Sequence, residues 1–304
     1  MGRVTPSLSL YLVGLHRTLG ADPNFYVEVA RIADELGIDQ LAVSDHVVMG
    51  ERVDRYPYGP FPFGPDEPWL EPLTMLAAIA AVTKRIRLCT SILIAPLRPA
   101  ALLAKTVATL DALSQGRVDL GVGIGWQQEE FEAQAIPFSD RWKRTDDTLR
   151  ACRALWQSAP ANFSSATVSF DKIFCSPRPA QARLPIWFGA AMSEKMAARI
   201  AEYGDGWLPL GAPSVEEIDK GAKLLHSAFA AVRRAPSELK IRSGLKLQSA
   251  ADGKPDFAAT FAPCEKLRAV GATHFSLALP PVKTLDAARA FLEPFAAAFQ
   301  PYKG

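Results

Sequence analysis

The strongest constraint in this chain is a rhythm: short apolar runs of strand length alternate with longer amphipathic segments of helix length. Leu8–Leu15 precedes a helical pattern over Phe25–Leu36, and Gln40–Ser44 precedes Pro72–Val82. Arg87–Ile94 leads to Ala100–Leu113, and Arg117–Val122 to Arg141–Trp156. Pro185–Phe188 precedes Ser193–Tyr203, and Gly206–Pro209 precedes Val215–Val232. Ile241–Gln248 with Phe257–Val270, then His274–Leu279 with Leu285–Phe299, complete the series. Eight strand–helix units in one α/β chain of 304 residues predict a single (β/α)8 barrel domain over 1–304, in preference to a doubly wound open sheet. Glycines at 37, 204 and 271 each stand where a helical pattern stops before a strand begins.

Composition narrows the class. With 49% hydrophobic and 22% charged residues, the chain has enough apolar material for a sizeable core. A net charge of +2 without a basic stripe argues against nucleic acid as a partner. No apolar run reaches membrane-spanning length. The N-terminal MGRVTPSLSLYLVG carries no convincing cleavage site, so the reading is a cytoplasmic enzyme without a signal peptide. The four cysteines are scattered and the four histidines far apart, so no metal site is expected.

Two stretches interrupt the rhythm, predicting insertions after the second and fourth barrel strands. Residues 49–69 are rich in Pro, Gly and aromatics, and 159–183 contain a TVSF segment suited to a small hairpin. Disordered segments are poor in aromatics. Tyr56, Tyr58, Phe61, Phe63 and Trp69 therefore suggest a lid over an apolar site; the plainer reading is a packed surface loop.

In a barrel, ligands meet the carboxyl ends of the strands. That rule selects Gly14 and His16, then Ser44, Asp45 and His46, then Thr90, Ser91 and Ile92. It also selects Gly123, Gly125 and Trp126, followed by Gly189, Ala190, Ala191 and Ser193. Asp45-His46 is an adjacent acid–imidazole pair at a strand end, suited to general acid–base work near neutral pH. The small residues before the helix that Ser193 opens offer free N–H groups to a phosphate; a routine Ser193 cap is the simpler reading. The GVGIG run at 121–125 reads as a strand ending in glycines, where a backbone can come close to a flat ligand.

Four blocks resemble the luciferase-like flavin and deazaflavin oxidoreductases: ADELGIDQLAVSDHVV, the segment from Glu71 to Arg117, DLGVGIGWQQEEFEAQAIPFSDR, and LPIWFGAAMSEKMAARIAEYGDGW. The resemblance covers about residues 8–210 in order and spacing. It implies a barrel that binds a flavin or coenzyme F420 and moves a hydride or activates oxygen. It assigns catalysis to His46 and Asp45 and a non-proline cis peptide against the cofactor ring to Ser91–Ile92. Cofactor contacts are implied at Asp45, Ser91, Ile92, Gly123 and Gly125, and a phosphate site at Gly189, Ala190, Ala191, Met192 and Ser193. His16, Tyr56, Trp69 and Trp126 would shape the substrate pocket. Where bacterial luciferase carries an arginine toward the flavin phosphate, this chain has Ile124. The resemblance thus points to coenzyme F420, hydride transfer and a small organic substrate. The alternative is an FMN-dependent monooxygenase that uses oxygen and is fed by a separate flavin reductase. A homodimer is the family's habit.

Overall fold

In the computed structural model, which describes residues 5–14 and 22–303, the strand-like runs become a closed parallel sheet. Its staves are β1 (Ser7–Leu12), β2 (Gln40–Val43), β3 (Arg87–Thr90) with its short continuation β4 (Leu93–Ile94), and β5 (Val118–Gly123). They continue with β8 (Ile186–Gly189), β9 (Gly206–Leu208), β10 (Lys240–Gly244) and β13 (His274–Ala278). The order β3-β2-β1-β13-β10-β9-β8-β5 closes through a parallel β3–β5 pairing, Leu88 opposite Val118. Among the described residues this is the (β/α)8 barrel that the alternation predicts.

Helices cover the outside: α1 (Asn24–Glu35), α2 (Pro72–Val82), α3 (Ala100–Leu113) and, after the short α4 (Gln128–Glu132) beyond the carboxyl end of β5, α5 (Arg141–Gln157). They are followed by α6 (Glu194–Tyr203), α7 (Val215–Ala231), α8 (Phe257–Phe261), α9 (Cys264–Ala269) and α10 (Leu285–Lys303). The ends of α2 and α3 fall where the pattern puts them. Pro72 opens α2 at a position whose N–H has no intrahelical partner anyway, and the Glu71 side chain caps it by accepting from Thr74 N. Gly37 and Gly271 both have positive φ and close helices with the paired hydrogen bonds of a left-handed stop, such as Ile38 N to Ala33 O at 3.0 Å. Gly204 differs: its φ is −100°, and a Cβ there would lie 2.9 Å from the Phe188 ring. It is small for packing, not for backbone freedom.

Successive strand residues face opposite sides. Leu8, Leu10 and Leu12 of β1 are buried under the helices, and Phe275 of β13 meets Phe299 of α10. Ser9, Gln40, Asp119 and His274 turn inward, where Ser9 Oγ donates to Gln40 Oε1 at 2.9 Å and Gln40 Nε2 to Asp119 Oδ2 at 2.8 Å. The barrel is thus packed by polar side chains at its lower end and opens above them. The predicted hairpin forms as β6 (Ala161–Ser164) and β7 (Ser169–Ile173), beside α5, and a second small antiparallel pair, β11 (Gln248–Ser249) with β12 (Pro255–Asp256), precedes α8. Residues 44–71 cross the top of the barrel with one 3-10 turn, Val53–Arg55.

Candidate active site

A cavity of about 650 Å³ opens at the carboxyl ends of the strands. Its position follows from the fold rule; its chemistry depends on contacts that span long stretches of sequence.

His46 leaves β2 at the cavity wall and is 8% exposed. Its Nδ1 lies 3.2 Å from Oε2 of Glu130, a fully buried carboxylate on α4. The other oxygen, Glu130 Oε1, accepts from Val47 N at 2.6 Å. A carboxylate can only accept, so Nδ1 donates and Nε2 is left as the atom able to exchange a proton. Asp45 is engaged elsewhere. Its Oδ2 accepts from Ile94 N at 2.8 Å and Arg98 Nη1 at 2.6 Å, and its Oδ1 from Arg98 Nη2 at 3.0 Å. Arg98 also reaches Glu71 at 3.0 Å. Adjacency in sequence suggests Asp45 as the group that orients His46; in the fold, Glu130 makes that contact and Asp45 anchors the chain beyond β3.

The chain between β3 and β4 bulges into the barrel, and the Ser91–Ile92 peptide is cis, as the resemblance implies. The glycines of units four and five are shaped around this bulge. A Cβ on Gly121 would lie 1.9 Å from Thr90 O, one on Gly123 2.6 Å from Ile92 Cδ1, and one on Gly189 2.4 Å from Ile92 Cγ2. Gly125, with φ +74°, makes room for Ile94 and Phe131. These glycines admit the protein's own backbone and the Ile92 side chain, which then forms the cavity wall.

The cavity floor is polar. Arg242 of β10, 6% exposed, donates to Ser91 Oγ and to Gln40 Oε1 at 3.2 Å. Beside it, Tyr11 and Ser276 face the opening. Burial pushes the Tyr11 phenol above its ordinary range, against the opposing effects of a Ser44 hydrogen bond and of Arg242.

The roof is the loop predicted as a lid. Trp69, Phe61 and Trp126 set ring edges against His46 at 4.8, 6.1 and 5.9 Å, and Tyr56 and Phe61 each pack on Trp126. Such pairs contribute about 0.5–1.5 kcal/mol each beyond area burial, which holds down a segment with almost no regular structure. Gln127, 1% exposed, fastens the loop by a two-pronged amide contact, accepting from Gly50 N at 2.8 Å and donating to Gly50 O at 3.0 Å.

Asp45, His46, Tyr56, Trp69, Ser91, Ile92, Gly123, Gly125, Trp126 and Gly189 therefore meet around one cavity. Ala190, Ala191, Met192 and Ser193 do not line it but follow directly on Gly189: Ala190 and Met192 pack on the core, and Ser193 Oγ caps α6 by accepting from Met196 N at 3.2 Å. His16 lies outside the described residues. Sequence reasoning missed Glu130, Arg98, Gln127 and Arg242. Of these, only Arg242 carried a signal, as a charged residue at an inward position of an apolar strand run.

A closed parallel barrel thus carries an imidazole–carboxylate pair over a large, mostly apolar cavity, an arrangement suited to an enzyme's active site. A family profile described as luciferase-like monooxygenase matches residues 7–256, and the chain belongs to that family. An uncharacterized protein of Mycobacterium tuberculosis is 35% identical over 209 residues, 67% of this chain and 73% of that one. The F420-dependent glucose-6-phosphate dehydrogenase of Gordonia bronchialis is 30% identical over 234 residues, 72% of this chain and 64% of that one. The solved structure of an F420-dependent secondary alcohol dehydrogenase in complex with an F420-acetone adduct superposes with a TM-score of 0.78 at 18% identity, over 99% of both chains. At that identity the likeness concerns the fold.

Proposed function

We propose that this protein is a deazaflavin-dependent oxidoreductase that moves a hydride between reduced coenzyme F420 and a small organic substrate. The observation that carries the reading is the His46–Glu130 pair, which opens onto an apolar cavity beside the Ser91–Ile92 bulge. A cavity of about 650 Å³ falls within the range that holds cofactor-sized ligands. Ile92 offers a flat apolar wall for a ring. Beyond Gly189, the start of α6 offers backbone N–H groups to a phosphate. Ile124, uncharged at the cavity edge, and the similarity to an F420-dependent dehydrogenase both favour the deazaflavin.

When bound, the deazaflavin supplies hydride chemistry without activating oxygen. The protein's own groups do the rest. His46 exchanges a proton with the substrate through Nε2, while Glu130 fixes the ring and its tautomer. Asp45, held by Arg98, pins Ile94 and so the bulge. Tyr56, Trp69 and Trp126 exclude water and receive the apolar part of the substrate. The second reading, an FMN-dependent monooxygenase using oxygen and a separate reductase, draws on the family's description as monooxygenases. A homodimer acting in the cytoplasm completes the proposal; among the described residues no helix is long and apolar enough to cross a membrane.

Parallel titration of the purified protein with coenzyme F420 and with FMN tests the reading. Preferential F420 binding, with no oxygen uptake on reduction, is the outcome expected. Preferential FMN binding with oxygen uptake selects the second reading, and micromolar binding of neither defeats both.

A further inference from the structure

Among the described residues, two arginines, Arg87 and Arg242, and one carboxylate, Asp119, share the lower barrel interior, and the mismatch falls at the cavity floor. Arg87 takes both oxygens of Asp119 at 2.8 Å, so that pair is internally neutral. Gln40 links it to the second arginine: its amide donates to Asp119, and its Oε1 accepts from Ser9 and from Arg242 Nη1. The other contacts of Arg242 are Ser91 Oγ and Cys89 Sγ, the latter at 3.6 Å. Among the described residues, Arg242 forms no ion pair with a carboxylate.

The neighbouring groups supply no negative charge either. Burial pushes the Cys89 thiol up to about 12 and the Tyr11 phenol above its ordinary range, so both stay protonated. Burial takes His274 down to about 3, so it stays neutral. Lys246, at the cavity edge, only adds positive charge. A buried cation without a partner is costly, and proteins rarely keep one without use.

We propose that Arg242 is an anion-recognition residue whose counter-ion arrives with the ligand. That ligand is a planar molecule with an apolar body and a delocalised negative charge on the edge that enters the barrel. The aromatic roof and Ile92 receive the body, and the guanidinium on the floor receives the charged edge. The inference rests on the proposed function in one respect: the 8-hydroxydeazaflavin ring of F420 is such a planar monoanion. An aromatic carboxylate substrate is the other source of the same chemistry.

Two arms distinguish the sources. In the first, calorimetry compares benzoate with neutral benzamide on the ligand-free protein and on Arg242→Lys and Arg242→Met. A carboxylate source gives roughly tenfold or greater preference for benzoate in the parent and the lysine variant, lost in the methionine variant. In the second, the absorbance of bound, oxidised F420 is followed against pH. A cofactor source gives a ring that stays anionic to lower pH on the parent than on Arg242→Met, by about one pH unit. Either positive arm supports the inference and names the source; no preference and no shift together overturn it. If Arg242→Met does not fold, the parent and Arg242→Lys decide: neither benzoate preference nor a bound ring more acidic than the free one overturns the proposal. Failure to bind F420 at all defeats the proposed function but leaves the benzoate arm to judge Arg242.

Discussion

The glycines around the β3–β4 bulge yield a prediction with an internal control. Adding one methyl puts the new carbon against backbone at 121 but against the Ile92 side chain at 123 or 189. At 121 it meets the Thr90 carbonyl oxygen at 1.9 Å, and residues 90 and 121 are already tied by a 2.6 Å bond from Thr90 Oγ1 to Gly121 O. Restoring an ordinary C···O separation of about 3.3 Å requires backbone to move by more than about 1 Å. That movement disrupts the local ladder, and each hydrogen bond lost costs about 1 kcal/mol on top of about 1–3 kcal/mol for overpacking. Gly121→Ala should therefore lose at least about 3 kcal/mol, or about 6 °C at roughly 2 °C per kcal/mol. At 189 the obstacle is only Ile92 Cγ2, at 2.4 Å. Gly189→Ala should cost about 1–3 kcal/mol, and combining it with Ile92→Ala should leave a protein no less stable than Ile92→Ala alone. Ile92→Ala should not rescue Gly121→Ala, because the obstacle there is backbone. Urea and thermal unfolding followed by circular dichroism measure all five variants. A Gly121→Ala protein as stable as the parent, or one rescued by Ile92→Ala as fully as Gly189→Ala, would refute the view that these glycines exist for the bulge.

Other outcomes follow from single contacts. His46→Ala should cut turnover by roughly 10²–10⁴-fold. Glu130→Gln, which keeps an acceptor for Val47 but loses the charge facing His46, should cut it about 10–100-fold with little change in KM; steady-state kinetics compares the two. Asp205 accepts from Arg153, Arg183, Arg234 and Ile186 N. Burial alone would raise its carboxyl, but the arginines hold it below the ordinary range. Its contribution is thus present above pH of about 4 and is lost as pH falls through the depressed native value. Urea midpoints should fall on that acid limb, and Asp205→Asn should flatten the limb at a cost of about 3–5 kcal/mol. All four cysteines are buried and free, and burial pushes Cys89 and Cys264 up to about 12. A thiol reagent should find almost nothing in the native protein and all four after unfolding.

The periodic parts of this molecule were legible because local pattern and tertiary demand agree. α2 and α3 run over the spans that their apolar spacing and caps define. Strand ends pointed to Asp45, His46, Ser91 and Trp126 because a barrel places all its carboxyl termini on one face. What stayed hidden was pairing at a distance. Glu130 lies 84 residues from His46 and reads as one acid among several in QQEEFE; Arg98 lies 53 residues from Asp45 between prolines. The GVGIG run was legible as a place of close approach but not for whose approach. Only the three-dimensional path of residues 90–94 shows that the visitor is the protein's own chain.

The contacts from α4 and its approach to the loop beyond β2 bear on how such an enzyme changes its substrates. Gln127 holds Gly50 by both amide groups, and Glu130 holds Val47 N while it faces His46. The roof over the cavity and the His46–Glu130 pair are thus built from the same two segments, 46–69 and 126–130. A roof transplanted from a relative without its matching 126–130 would arrive without its fastenings and would misplace the imidazole as well. On the proposed function, natural recombination and laboratory loop exchange alike must move the two segments as one cassette, and the inheritable unit of substrate choice is then the pair, not the roof alone.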